Sequence, residues 1–304
     1  GEDKCIKLAP TNIASRNIGG QTIHSFFQMG TDLKAKMKHI QDKVLNKEII
    51  IIDEISMITG GMWSILYQLK RNCKNLRFLL VGDEHQLPPI EEMIYDYFYH
   101  ASIKYICDYF MGTLKLCRNS RYNKEMFRYL DYIRNGTIMD EGTTIGCVEE
   151  FVSGRNICYT NKKRKEINEM VNKHHIQEKE HMFIEYFDAE NPYNQDTYIY
   201  NDMEIMSIKT DKELQLTKNE TYKIIRFDEE HITILNNDED ECCIPIHLFH
   251  KNFMMCYCIT THRSQGLTLN GRVNIHEYKY MKYNYKMCYT AISRATCLGN
   301  LKFY

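Results

Sequence analysis

Proline is scarce in this chain. There are five in 304 residues, and two of them stand side by side at Pro88-Pro89. Such scarcity argues against Pro-rich linkers and biased, disordered tracts. No run of about 18 apolar residues occurs, so no membrane-spanning helix is expected. No leader-like segment opens the sequence. It starts at Gly1, not Met, and enters the strand-like "KCIKLAP" almost at once. The chain therefore reads as a piece of a longer protein. Net charge is also nearly absent, at -1, which leaves a polyanionic partner neither indicated nor excluded; a local basic groove is compatible with it. Cysteines are plentiful, twelve in all, but they lack a framework. The closest pairs are Cys242-Cys243 and Cys256-x-Cys258, without a second pair or histidines at ligand spacing. They read as ordinary buried thiols of a reducing, intracellular compartment. The segment "MMCYCITT" reads as one strand with Cys256 and Cys258 on the same side.

What is present is enough apolar material for sizeable cores, 43% of the residues, at a length that suits two domains. Four continuous apolar runs read as parallel strands covered on both faces: 5–10, 48–54, 76–83 and 155–160. Helical spacing lies between and after them. Met62, Ile65, Leu66 and Leu69 share a face, as do Phe127, Leu130 and Ile133 before a stop at Gly136. Ile167, Met170, Val171 and His174 repeat the pattern. Alternating strands and helices predict a doubly wound α/β architecture. Residues 180–252 differ: short alternating runs and turns predict a small β-rich insertion. Its acidic run from Asp238 to Glu241 reads as a solvated hairpin tip.

Two of the apolar runs end in residues with chemistry. "IIIIDEISM" brings Asp53 and Glu54 to the carboxyl end of a buried strand, the edge where open α/β sheets bind ligands. Two adjacent acids there suit nucleotide hydrolysis. One, Asp53, would hold Mg2+ through water, and Glu54 would polarise the attacking water. "LLVGDEHQLPPI" ends a second strand in Gly82, which permits a tight turn. Gln86 is a neutral donor and acceptor able to reach a terminal phosphate or its attacking water. Pro88-Pro89 fix φ and cannot continue strand or helix, so they predict a stiff mount for Gln86. Asp83 would buttress that loop or stand behind the metal's ligands.

"DEISM" followed by "GDEHQLPPI" resembles motifs II and III of superfamily 1 helicases, in particular the RecD-like group with the petite-integration-frequency helicases. Other pieces follow in that family's order. "LAPTNIASRNIGGQTIHSFF" (8–27) resembles motif Ia and its extension, and "LCRNSRYNKEMFRYLDYIRNG" (116–136) resembles motif IV. "CYTNKKRKEIN" (158–168) is similar to the Thr-Asn segment of the second motor domain. "TTHRSQGLT" (260–268) resembles motif V and "YTAISRAT" (289–296) motif VI.

The resemblance implies two RecA-like parallel-sheet motor domains, 1–113 and 114–304, with a β-barrel-like insertion in the second at about 180–252. It implies an ATP-dependent DNA helicase that moves 5′ to 3′ on single-stranded DNA and unwinds duplexes and forks in replication, repair or recombination. ATP and Mg2+ would be its cofactors. Arg121 and Arg294 would be arginine fingers that stabilise charge on the transferring phosphate. Gln265 and Gly266 would sense the nucleotide, with Gly266 allowing close backbone approach. Pro10, Thr11 and Asn12 would face single-stranded DNA, and His24, Ser25 and Phe26 would continue that surface, with Phe26 or His24 stacking on a base. The competing role of those aromatics is core packing. Thr160 and Asn161 would form the equivalent grip in the second domain. Thr261, His262 and Ser264 would touch the nucleic-acid backbone or support their loop. Lys209, Lys212, Lys218 and Lys223 of the insertion would face a backbone or plain solvent.

One family element is missing from these residues: no G-x-x-x-x-G-K-[ST] phosphate loop occurs, and "NIGGQTIHS" lacks the lysine. In the family that loop precedes the first strand seen here, so truncation is the expected reason. The 304 residues alone should then bind ATP poorly. A non-catalytic nucleic-acid module derived from a helicase, or an RNA helicase of the same superfamily, are the other readings.

Overall fold

The computed structural model describes residues 4–28, 37–89, 121–139, 141–187, 194–211, 213–236 and 240–304. The chain divides into two compact units, 1–120 and 121–304. The domain boundary expected at 113/114, the first residues of the motif IV segment, Lys212 and part of the acidic run lie outside the described residues.

The first unit is built on a four-stranded parallel sheet. Its strands are β1 (Cys5–Ala9), β2 (Gln21–Thr22), β3 (Ile49–Ile52) and β4 (Arg77–Leu80), in the order β2-β1-β3-β4. Helices α1 (Asn12–Asn17) and α2 (Ile23–Phe27) follow β1 and β2, and α3 (Met37–Val44) and α4 (Gly60–Asn72) flank β3. The predicted face of α4 is the buried one: Met62, Ile65, Leu66 and Leu69 join Ile50 and Ile52 in one core. Thr59 caps its N-terminus by accepting the Met62 N–H, which satisfies one of the turn's orphan donors. β4 departs from expectation. Among the described residues it lies at the edge of the sheet, and Leu79 (49%) within it and Val81 (37%) after it are exposed. An apolar run reports hydrophobicity, not how many neighbours the strand will have.

The second unit pairs a parallel sheet with an antiparallel one. The parallel sheet holds β5 (Arg155–Cys158), β13 (Cys258–Thr260), β14 (Val273–Ile275) and β15 (Leu301–Phe303), in the order β13-β5-β14-β15. Helix α5 (Lys124–Arg134) precedes it and is followed by Gly136 in the left-handed region, at φ +79°. Its buried face is Met126, Tyr129, Leu130 and Ile133, with Phe127 only partly covered. Then come α6 (Val148–Val152) and α7 (Asn161–His175). Here the sequence expectation needs correcting. Met170 is 37% exposed, and the covered face is Arg164, Ile167, Asn168, Val171 and Asn172. The asparagines turn inward because each pairs with a strand backbone. Asn168 accepts the Cys258 N–H at 2.8 Å and donates to the Cys258 carbonyl. Asn172 does the same with Tyr198.

The insertion runs through β6 (His181–Ile184), β7 (Thr197–Tyr200), β8 (Glu204–Ser207), β9 (Thr221–Phe227), β10 (His231–Leu235), β11 (Glu241–Pro245) and β12 (Phe253–Met255). Five of these form an antiparallel sheet, β11-β10-β9-β8-β12, and β6 pairs with β7. The order is open, with edges at β11 and β12, so among the described residues the pairing does not close the expected barrel. "MMCYCITT" is not one strand. β12 belongs to the insertion and β13 to the parallel sheet, and Cys256-Tyr257 carry the chain between them. Four short helices complete the unit: α8 (Phe249–Asn252), α9 (Thr261–Ser264), α10 (Tyr278–Met281) and α11 (Tyr285–Ile292). Among the described residues all ten cysteines are unpaired by disulfides, no group of side chains suits a metal-thiolate site, and no helix is long and apolar enough to cross a membrane.

Candidate functional site

In the first unit the predicted acids sit at the carboxyl edge of the sheet. The Asp53 N–H donates to the Leu8 carbonyl at 2.9 Å, extending the β1–β3 ladder by one step. The next residue leaves the ladder: Glu54 adopts a left-handed backbone, φ +52°. Such a conformation costs a non-glycine residue about 1 kcal/mol or more. It turns the chain into a 3₁₀ turn, Ile55–Met57. Asp53 Oδ1 accepts the Glu54 N–H at 2.9 Å, so one oxygen of the carboxylate is fixed by the bend itself.

The loop after β4 lies alongside. The Ile55 N–H donates to the Val81 carbonyl at 3.1 Å, which ties the two loops together. Their approach is close enough to need glycine. A Cβ on Gly82 would stand 2.6 Å from Ile55 Cγ1 and 2.8 Å from its nitrogen. Gly82→Ala should therefore cost the first unit about 2 kcal/mol through overpacking. The urea midpoint of the unit measures it, and an unchanged midpoint would show that the loops are not held this tightly. Asp83 shapes the turn that carries Gln86. Its Oδ1 accepts the His85 N–H at 3.0 Å, and its carbonyl accepts the Gln86 N–H at 3.1 Å. Leu87, Pro88 and Pro89 are buried and anchor the loop. Gln86 Oε1 is itself buried and accepts no hydrogen bond among the described residues. An orphaned buried acceptor costs about 1–3 kcal/mol, and a donor such as a bound water would satisfy it.

The residues after β1 and β2 divide by exposure. Pro10, Thr11 and Asn12 are half-buried, and Thr11 caps α1 by accepting the Ala14 N–H. His24 and Ser25 are exposed. Phe26 is not available for base stacking. It is 6% exposed, belongs to the core cluster and packs edge-on against Phe27 at 5.1 Å. Burying both rings stabilises the unit by more than one exposed stacking partner would.

In the second unit the predicted residues also gather at the carboxyl edge of the parallel sheet. Thr160 caps α7, its Oγ1 accepting the Lys163 N–H at 3.1 Å, and Asn161 is exposed beside it. Thr261 and Ser264 are fully buried. Thr261 Oγ1 donates to the Cys158 carbonyl at 3.2 Å, and Ser264 Oγ to the Thr261 carbonyl at 2.8 Å. Both hydroxyls thus support the loop and do not face a nucleic acid. His262 is partly covered, and burial pushes its pKa down. Gln265 is 5% exposed, and Gly266 takes φ +83°, the left-handed region that favours glycine.

Arg294 is 1% exposed. Its Nε donates to the Thr290 carbonyl at 3.0 Å, Nη1 to the Leu267 carbonyl at 3.0 Å and Nη2 to Ser293 Oγ at 2.9 Å. The guanidinium thus joins the loop after α9 to the end of α11. Arg121 is exposed and lies over the Tyr122 ring, whose hydroxyl donates to the Ser293 carbonyl at 3.1 Å. The two predicted arginines, 173 positions apart in sequence, are therefore linked through their immediate neighbours. Of the insertion lysines, Lys209 and Lys223 form ion pairs with Asp211 and Asp202, while Lys218 is exposed.

One residue at this edge was not anticipated. Glu277, after β14, directs its carboxylate onto the Thr160 turn, and it adopts φ +60°. No local pattern marks it, because its partners lie 117 positions away.

A family model described as an AAA domain matches residues 1–92. The ATP-dependent DNA helicase Pif1 of Campylobacter jejuni is 32% identical over 157 residues, covering 45% of this chain and 35% of that protein. Its namesake in Bdellovibrio bacteriovorus is 34% identical over 99 residues, covering 27% and 23%. The chain thus spans little more than a third of the former relative and less of the latter. A solved Pif1 helicase from Bacteroides, in complex with ADP-AlF3 and single-stranded DNA, superposes with a TM-score of 0.64 at 18% identity, covering 100% of this chain and 83% of that one. The Candida albicans Pif1 helicase gives 0.63 at 16%, covering 99% and 84%. In sequence the chain is similar to Pif1 DNA helicases over part of their length, and it shares the fold of the solved Pif1 structures.

Proposed function

We propose that the protein containing this chain is an ATP-driven helicase that moves 5′ to 3′ along single-stranded DNA and opens duplexes at forks. The observation that carries this reading is the edge of the first unit. Asp53 and Glu54 lie on one of two tied loops and Gln86 on the other, and Gln86 presents an orphaned buried acceptor. These residues fit a magnesium–nucleotide complex: Asp53 would hold the ion through water, Glu54 would take a proton from water, and Gln86 Oε1 would accept a hydrogen bond from it. The bound nucleotide supplies the energy of phosphoryl transfer. The family's lysine-bearing loop is not among these 304 residues, so the acids and Gln86 account for only part of nucleotide binding. Arg121 and Arg294 are the proposed arginine fingers. Thr11, Asn12, His24 and Ser25 on one unit, and Thr160 and Asn161 on the other, are the proposed DNA grips.

The test is Gln86→Ala in a protein that carries a phosphate loop. DNA-stimulated ATP turnover should fall about tenfold, the scale of one lost polar contact to the reacting groups. Affinity for single-stranded DNA should stay within twofold or so, because Gln86 is not placed in either grip. Turnover equal to the parent would remove Gln86 from the mechanism, and a matching loss of DNA affinity would relocate it to the DNA track.

A further inference from the structure

We infer that Glu277 is a resident stand-in for a DNA phosphate: its carboxylate occupies the Thr160 grip and must be displaced when single-stranded DNA is held there. This rests on the reading of Thr160 and Asn161 as a DNA grip. Three donors meet the carboxylate. The Thr160 N–H donates to Oε2 at 2.8 Å, the Tyr159 N–H to the same oxygen at 3.1 Å, and Thr160 Oγ1–H to Oε1 at 2.8 Å. A hydroxyl has one proton and an amide one hydrogen, so these donors are already committed to an anion. Thr160 Oγ1 also accepts the Lys163 N–H and so closes the first turn of α7, a helix of fifteen residues. These three donors are therefore not available to a phosphate while Glu277 stays.

The surroundings suit exchange more than permanent structural pairing. Glu277 and Thr160 are only partly covered. Asn161 and Lys162 are exposed beside them, and Tyr159 is 40% exposed. Together they offer an amide, a cation and an aromatic face next to the anion seat, which fits a phosphodiester carrying a base better than a free phosphate. Carboxylate and phosphate are competing anions for one set of donors. The exchange would tax DNA affinity at this grip and release Glu277 together with the β14–α10 connection it begins.

The measurement is fluorescence anisotropy of a labelled oligo-dT with the 304-residue chain, at fixed salt. Glu277→Gln should bind about tenfold tighter, the scale of one charge-assisted hydrogen bond removed from competition. Glu277→Asn should do the same and guards against misfolding, since asparagine tolerates the left-handed backbone. The gain should disappear when Thr160→Val is added, because the contested donor is then gone. That dependence separates exchange from a general loss of negative charge. Unchanged or weaker binding by both Glu277 variants would overturn the inference, as would a gain that persists beside Thr160→Val. Should Thr160→Val alone leave affinity untouched, the grip reading itself fails and takes this inference with it.

Discussion

Asn156→Ala should remove about 4 kcal/mol from the stability of the second unit. Asn156 lies in β5, is 2% exposed and uses all of its side-chain hydrogen-bonding capacity. Nδ2 donates to the Phe151 carbonyl at 2.8 Å and the Tyr257 carbonyl at 3.0 Å. Oδ1 accepts from Asn274 Nδ2 at 2.9 Å and from His276 Nε2 at 3.0 Å. One amide therefore joins the approach to β13, the strand β14 and the helix α6. Truncation would leave two carbonyls and two donors in a buried place that water enters poorly, each at about 1–3 kcal/mol before relaxation. Asn156→Leu distinguishes lost hydrogen bonds from lost volume. It fills the space and should be nearly as unstable as the alanine variant. Urea unfolding followed by amide exchange in β5 and β14 is the suitable readout, because two units need not unfold together. A loss below about 1 kcal/mol would mean that the hub is redundant.

The second large effect is on pH. His276 is fully buried, with its ring stacked on Tyr304 at 5.1 Å and edge-on to Phe151 at 4.8 Å. Because Asn156 Nδ2 faces carbonyls, its Oδ1 is the acceptor, and His276 must carry its proton on Nε2. Nδ1 is then a buried lone pair without a partner among the described residues. Burial, with a smaller push from Lys163, drives the pKa down to about 3. The folded value lies below the unfolded one, so the stabilisation is complete above the unfolded pKa near 6.5 and is lost as pH falls toward the folded value. Within that window the unfolded chain binds the extra proton, and this group alone should remove about 1.4 kcal/mol per pH unit. His175, His250 and His262 are pushed the same way by burial. The assignment therefore needs a difference: wild type against His276→Gln, unfolded in urea from neutral pH to about pH 4, where the gap in slope should approach one proton. Parallel curves would show that His276 charges without cost.

Much of this architecture was legible because it depends on apolar continuity and on short motifs. The face of α4 and the strand ends carrying Asp53 and Gln86 follow from local pattern. What escaped depends on polar side chains that behave as core. Asn168 and Asn172 look like a solvated stripe on α7, yet each satisfies a strand backbone, so the hydrophobic period misplaced the face and put Met170 inside. Phe26 was ambiguous because a ring beside a polar pair reads equally as core or as platform. Thr261 and Ser264 carry the right atoms for a phosphate but spend them on carbonyls, which only the loop's path reveals. Glu277 had no local signature at all: its backbone conformation and its partners are both set by the fold.

The passage through Cys256 and Tyr257 has a mechanical consequence. Two residues separate the last strand of the insertion from an edge strand of the parallel sheet, and both sides hold Tyr257. Its carbonyl accepts from Asn156, and its hydroxyl lies 2.6 Å from that of Tyr200 in β7. A tether so short and doubly pinned has no slack. Load applied to the insertion would travel into β13 as shear along its hydrogen-bond ladder, with no intervening linker to stretch first, and Thr261 stands at the far end of that strand.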